Sequence, residues 1–196
     1  MHPQKSIAMS TLRTFIAIDV PVEDRLRKGW ATLRNQLLRE NIKWVDDRML
    51  HLTLFFMGDT AESGIAEIAD RLDERVSALR SFPVKLRGLG TFGHPANPRV
   101  IWVGLEDCPP LIELKKHVNE VVTPLGFGEE EREFAPHITL GRVKGIRNIG
   151  VFRECMAVHR QTFYQESLID KVIFYQSILK AEGSVYKPLK TSVLNG

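Results

Sequence analysis

Cysteine is scarce: Cys108 and Cys155 are the only two in 196 residues, too few for a disulfide framework or a four-ligand zinc set. No apolar run approaches the roughly 18–20 residues that a membrane helix needs. No linker rich in proline, glycine and serine divides the chain, so any two lobes must pack closely. Charge of one sign is also missing. Lys and Arg number 27 against 24 Asp and Glu, a net charge of +3, and the basic residues are scattered, which points to a local anion pocket and away from a long polyanion-binding surface. The stretch Met1 to Ser10 is polar and does not read as a secretory signal. It is expected to be a flexible leader (1–10) before a single domain spanning 11–196, in a reduced, cytoplasmic, monomeric protein with no membrane contact and no obligate protein partner.

The 43% hydrophobic content suits an ordinary globular core. Thr14 to Ile18 reads as a short apolar strand ended by Asp19 and Pro21. Leu26, Trp30, Leu33 and Leu37 then recur at helical spacing. Ile42 to Val45 and His51 to Met57 are strands. Ile65, Ile68, Leu72, Val76 and Leu79 form a second helical stripe, and Leu111 to Leu125 a third that Gly126 can stop. Val84–Leu86 and Val100–Val103 read as strands separated by a turn-rich loop holding Gly88, Gly90, Gly93, Pro95 and Pro98. His137 to Val143 is a strand, 151–159 a short helix, and Leu168–Ile178 and Val185–Leu189 closing strands joined across Glu182-Gly183. Sliding the chain by 86 residues lays His51 on His137, Thr53 on Thr139 and Arg13 on Arg99. Each half then reads strand, helix, strand, His-x-Thr strand, a pattern of elements that a pseudo-twofold axis would bring together across one cleft.

The segments His51-Leu52-Thr53-Leu54 and His137-Ile138-Thr139-Leu140 carry the chemistry. Residues i and i+2 of a strand share a face, so each histidine lies beside its threonine while the aliphatic residues point into packing. Imidazole, with an ordinary pKa of about 6.5, serves as base or acid near neutral pH. Two imidazoles on opposite sides of a phosphorus atom permit in-line attack without a metal, and threonine hydroxyls can donate to the non-bridging oxygens where charge gathers. A metal centre fits less well, because no third ligand stands at useful spacing and threonine is a poor zinc partner. No metal and no cofactor is expected. Arg142 lies three residues past Thr139, and a bulge at Gly141 could return its guanidinium to the phosphate. Arg13 and Phe15 share one strand face and could line the groove, Phe15 offering a surface for a base.

These motifs, together with Arg13-Thr14-Phe15-Ile16-Ala17-Ile18-Asp19, Lys43-Trp44-Val45, Gly88-Leu89-Gly90-Thr91-Phe92, Pro98 to Gly104 and Phe134-Ala135-Pro136-His137-Ile138-Thr139-Leu140-Gly141-Arg142, resemble the two-histidine (2H) phosphoesterase superfamily and its bacterial and archaeal RNA 2′,3′-cyclic phosphodiesterase branch, over nearly the whole chain. Thr14 and Phe56 stand where leucine is more usual. The resemblance implies an α+β fold of two pseudo-symmetric lobes, antiparallel sheets lining a central groove with helices outside. It implies opening of 2′,3′-cyclic phosphates at RNA or nucleoside ends to 2′-phosphates, with the reverse 2′–5′ joining as a secondary activity. It also implies His137 as proton acceptor, His51 as proton donor, and Thr53 and Thr139 as holders of the phosphoryl oxygens; spacing alone does not say which histidine is which. Two alternatives stay open at this point: action on 2′–5′-linked or small cyclic nucleotides, and a non-catalytic RNA-end binder that retains the fold.

Overall fold

The computed structural model describes residues 10–128, 133–181 and 183–196. In chain order the elements are β1 (Thr11–Asp19), α1 (Asp24–Gln36), β2 (Asn41–Trp44), β3 (His51–Ala61), α2 (Ile65–Ser77), β4 (Phe82–His94), β5 (Asn97–Leu105), α3 (Pro109–Val122), β6 (His137–Gly145), α4 (Ile149–Val158), β7 (Phe163–Ile169), β8 (Lys171–Lys180) and β9 (Gly183–Val193), with short 3-10 turns at Asp47–Met49, Glu62–Gly64 and Thr123–Leu125. The named strands pair antiparallel, in the order β7-β4-β5-β6-β3-β1-β8-β9, and β2 adds to β6.

The order divides into two four-stranded halves, β9-β8-β1-β3 and β7-β4-β5-β6, joined where β3 meets β6 through the single registered pair Leu52–Ile138. Each half takes two strands from the other half of the sequence: β4 crosses to pair with β5 and β2 with β6, while β8 returns to pair with β1 and carries β9 with it. A crossing of this kind needs both lobes to fold together, which is why no linker is seen.

The helices cover one face of the sheet. Leu26, Trp30 and Leu33 of α1, Ile68, Leu72 and Val76 of α2, and Leu111, Leu114 and Val118 of α3 pack with Ile16, Ile18, Leu52, Leu54, Ile138 and Leu140 into one continuous core. Both aliphatic residues of each His-x-Thr strand are therefore anchored on the helix side. A second, smaller cluster of Phe15, Ala17, Ile173 and Tyr175, with Tyr186 against it, lies on the opposite face.

Several boundaries depart from the sequence reading. The stretch expected as a turn-rich loop is a long hairpin, β4 running to His94 and β5 starting at Asn97; Gly88 and Gly93, with φ of 76° and 108°, sit at its register shifts, so these glycines punctuate a strand without ending it. Leu168–Ile178 is broken at Asp170 into β7 and β8. Among the described residues no strand stands between α3 and β6, so the second half lacks a counterpart of β2. The repeat is also offset within itself. Ala17 pairs with Thr53 and Trp102 with Thr139, so β1 maps onto β5 at a spacing of 85, and the mate of Arg13 is Pro98, not Arg99. Of the expected leader only Ser10 is described; its hydroxyl donates to Glu62 at 2.7 Å. Of the turn Glu182-Gly183, Glu182 lies outside the described residues.

Candidate active site

Strands β3 and β6 run antiparallel about Leu52–Ile138, a register that sets His51 across from Thr139 and Thr53 across from His137. All four side chains are partly exposed, while Leu52, Leu54, Ile138 and Leu140 are buried. The four polar residues thus form a diagonal square on the face away from the helices, at the seam between the halves. The two-residue period brought His51, Thr53, His137 and Thr139 to one place.

Both imidazoles are fixed in the same way. Nδ1 of His51 donates to the carbonyl oxygen of Met49 and Nδ1 of His137 to that of Ala135, each at 2.8 Å. A carbonyl only accepts, so Nδ1 carries the proton in both rings and Nε2 is left to exchange protons with a ligand. Rings hold them from the side: Phe15 and Tyr186 at 5.2 and 5.1 Å from His51, Phe92 and Trp102 at 4.6 and 6.4 Å from His137. Burial pushes the His51 pKa below its ordinary value; the Met49 carbonyl and Asp19 act against this, while Arg142 and His137 add to it. Asp19 is itself held by the Tyr175 hydroxyl, which donates to its carboxylate at 2.8 Å. The field of Arg142 reaches Tyr186 as well, whose own pKa is raised by burial and lowered by that charge. Arg142 therefore lies near enough to His51 and Tyr186 for its charge to act on both.

The route that returns Arg142 to this face is a bulge. Ile101 pairs with Gly141 and Trp102 with Thr139, leaving Leu140 as the extra residue; after it Gly141 and Val143 are buried and Arg142 is exposed. The same bulge occurs in β3, where Ile16 pairs with Phe55 and Ala17 with Thr53, leaving Leu54 extra and Phe56 exposed. Since β3 makes the bulge without a glycine, Gly141 serves another purpose. A Cβ there would stand 2.9 Å from both Ile42 and the Trp44 ring, so the glycine lets β2 lie against β6.

Phe15 and Arg13 are separated by the structure. Phe15 does lie on the groove face, but at 3% exposure under Tyr175, Tyr186 and His51 it cannot present a ring to a base; it supports His51. Arg13 is exposed, with its guanidinium 4.7 Å from the centre of the Phe56 ring. Tyr186, Phe92, Asp19 and Tyr175 were not singled out by sequence. Asp19 is the cross-strand partner of His51 in β1, Tyr175 reaches the site through Asp19 and Phe15, and Tyr186 and Phe92 meet the histidines through their rings; these pairings join strands far apart in sequence.

Among the described residues no group of three or more His, Cys, Asp or Glu is arranged to hold a metal ion, and no helix is long and apolar enough to cross a membrane. A cavity of about 470 Å³ lined by Arg27, Trp30, Arg34, Trp44, Asp46 and Asp47 lies between α1 and β2 and includes none of the paired residues.

A curled antiparallel sheet, helices on its outer face and two His-x-Thr strands across one seam define a two-histidine phosphoesterase fold. The chain belongs to the 2′-5′ RNA ligase superfamily, whose family model matches residues 22–177. It is 35% identical to an RNA 2′,3′-cyclic phosphodiesterase of Thermotoga maritima, over 91% of this chain and 93% of that one. It is equally 35% identical to one of Aeropyrum pernix, over 81% and 91%. Its fold matches that of E. coli LigT complexed with 3′-AMP, with a TM-score of 0.75 at 24% identity, covering 95% of this chain and 100% of that one.

Proposed function

We propose that this protein hydrolyses 2′,3′-cyclic phosphates at RNA or nucleoside ends to 2′-phosphates, as a monomeric cytoplasmic enzyme whose single domain spans 11–196 and which needs neither metal nor cofactor. The observation that carries the reading is the diagonal pairing of two equivalent imidazoles, each with Nδ1 committed to a carbonyl and Nε2 available. Binding alone would call for anion contacts but not for two such groups.

In this reading Nε2 of His137 takes a proton from water as its oxygen attacks phosphorus. The bond from phosphorus to the 3′ oxygen breaks, and Nε2–H of His51 protonates that oxygen, leaving a 3′-hydroxyl and a 2′-phosphate. The lowered pKa of His51 favours its neutral form in the free site. The negative charge of an arriving cyclic phosphate works in the other direction and stabilises the imidazolium needed as acid. Thr53 and Thr139 donate to the non-bridging oxygens, and the Arg142 guanidinium adds charge that favours phosphate binding. The reverse joining of ends through a 2′–5′ linkage follows from microscopic reversibility.

The test is product analysis of each nucleoside 2′,3′-cyclic phosphate, and of a short RNA so ended, incubated with the protein and EDTA. Turnover with a 2′-phosphate product is expected. A strict requirement for a divalent metal, or a 3′-phosphate product, would overturn this mechanism.

A further inference from the structure

The groove is symmetric in backbone and asymmetric in side chains. Five residues past each histidine, just beyond matching bulges, the chain presents Arg142 on β6 and Phe56 on β3. Because the two strands are antiparallel, these positions fall at opposite ends of the groove. Arg142 lies at the end of His51 and Tyr186, to which its field extends; Phe56 lies past Thr53 and its cross-strand neighbour His137.

Phe56 is unusual for its place. Leu54, Phe55 and Met57 around it are buried, yet its own ring is 46% exposed on the groove face, opposite Phe15 across the strand pair. An exposed phenyl ring forgoes the benefit of burial that its buried neighbours gain. One side of the ring is taken by the Arg13 guanidinium at 4.7 Å, which holds it in place and adds positive charge beside an aromatic surface. A phenyl ring with a planar cation against it is the combination that stacks nucleobases without regard to sequence.

We propose that Phe56 and Arg13 form a stacking subsite for the base of a second nucleoside, one beyond the nucleoside that carries the reacting phosphate. This inference rests on the phosphodiesterase reading, in which the 3′ oxygen of the first nucleoside takes its proton at His51 while the phosphate stays on the 2′ oxygen. The far end, roughly 10 Å along β3 from Thr53 at about 3.3 Å per residue, is left for a neighbour. That neighbour is either the adjoining residue of the same RNA strand or the nucleoside joined through a 2′–5′ linkage; both present the same chemistry, a base for the ring and a phosphate for Arg13.

Binding separates this proposal from the catalytic one. Dissociation constants are measured by calorimetry for a nucleoside 2′-phosphate, a dinucleotide ending in a 2′-phosphate and a 2′–5′-linked dinucleotide, on the unmodified protein, Phe56→Ala, Phe56→Trp and Arg13→Gln. Phe56→Ala is expected to weaken at least one dinucleotide about tenfold, the weight of one base–aromatic stack, and to leave the mononucleotide within about twofold. The affected dinucleotide identifies the neighbour. Phe56→Trp should bind that dinucleotide at least as well as the unmodified protein, and Arg13→Gln should reduce the slope of its affinity against salt by about one ion. Equal losses on all three ligands, or unchanged dinucleotide affinities in Phe56→Ala with its melting temperature retained, would overturn the subsite. Absence of turnover by the unmodified protein would overturn the catalytic reading alone, since the subsite is read from binding.

Discussion

The consequences at the scale of single residues centre on the two imidazoles. His51→Ala and His137→Ala are each expected to lower turnover of a cyclic phosphate by roughly 10²- to 10⁴-fold, the usual weight of a positioned acid or base, and steady-state kinetics check this; a variant within a few fold of the unmodified protein would remove its histidine from the mechanism. Arg142→Ala should chiefly raise KM. The depressed pKa of His51 makes a signed prediction about pH. For an acid that must be protonated, activity is lost as pH rises through its pKa. The alkaline limb of kcat/KM, which reports the free protein, should therefore fall below the ordinary imidazole value near ~6.5. In kcat, which reports the complex, the bound phosphate should move that limb to higher pH. Identical alkaline limbs in both profiles would refute the assignment of His51 as the group that gains its proton from substrate charge. At this scale much was legible: a histidine and threonine two residues apart on apolar strands settle which face each occupies. Phe15 was legible as to face but not as to cover, because the rings of Tyr175 and Tyr186 that close over it come from strands more than 150 residues away.

At the scale of elements, close approaches between strands position the rings around the site. Gly90 lies against the Trp102 indole so closely that a Cβ would come within 2.1 Å of it. Gly90→Ala must displace that ring, and with it the Phe92 and His137 contacts. The expected result is a loss of about 1–3 kcal/mol, the range for overpacking, seen by denaturant unfolding together with a reduced kcat. Gly141→Ala meets Ile42 and Trp44 at 2.9 Å and should loosen β2 from β6, with a smaller effect on the histidines. Comparable kcat losses in both variants would mean that Trp102 has no particular hold on His137. The bulges are the part of the element plan that sequence conveyed for the wrong reason. The position of Arg142 was foreseen through Gly141, yet Leu54 and Phe55 make the same bend with no glycine, so it is the pairing of unequal strands that sets it.

For the whole molecule, the alternating elements made two related halves readable, while the exchange of β4 and β8 between them was not, since pairing partners so far apart leave no local trace. Stability should carry the imprint of the half-buried His51. A lowered pKa means that the unfolded chain binds more protons than the folded one just below the ordinary imidazole value, so stability is full above it and declines as pH falls through the folded pKa. Thermal melts between pH 7 and 5 should show this decline, and it should be shallower in His51→Gln. An equally steep decline in that variant would assign it to other groups.

The seam at Leu52–Ile138 has a mechanical meaning. Two broad half-sheets touching at one registered pair make a book whose spine is a single stitch, and the histidines stand on either side of that stitch. A molecule held by both pages must stiffen the spine, so nucleotide binding should slow hydrogen exchange at the Leu52 and Ile138 amides more than anywhere in the outer strands, although neither residue faces the groove.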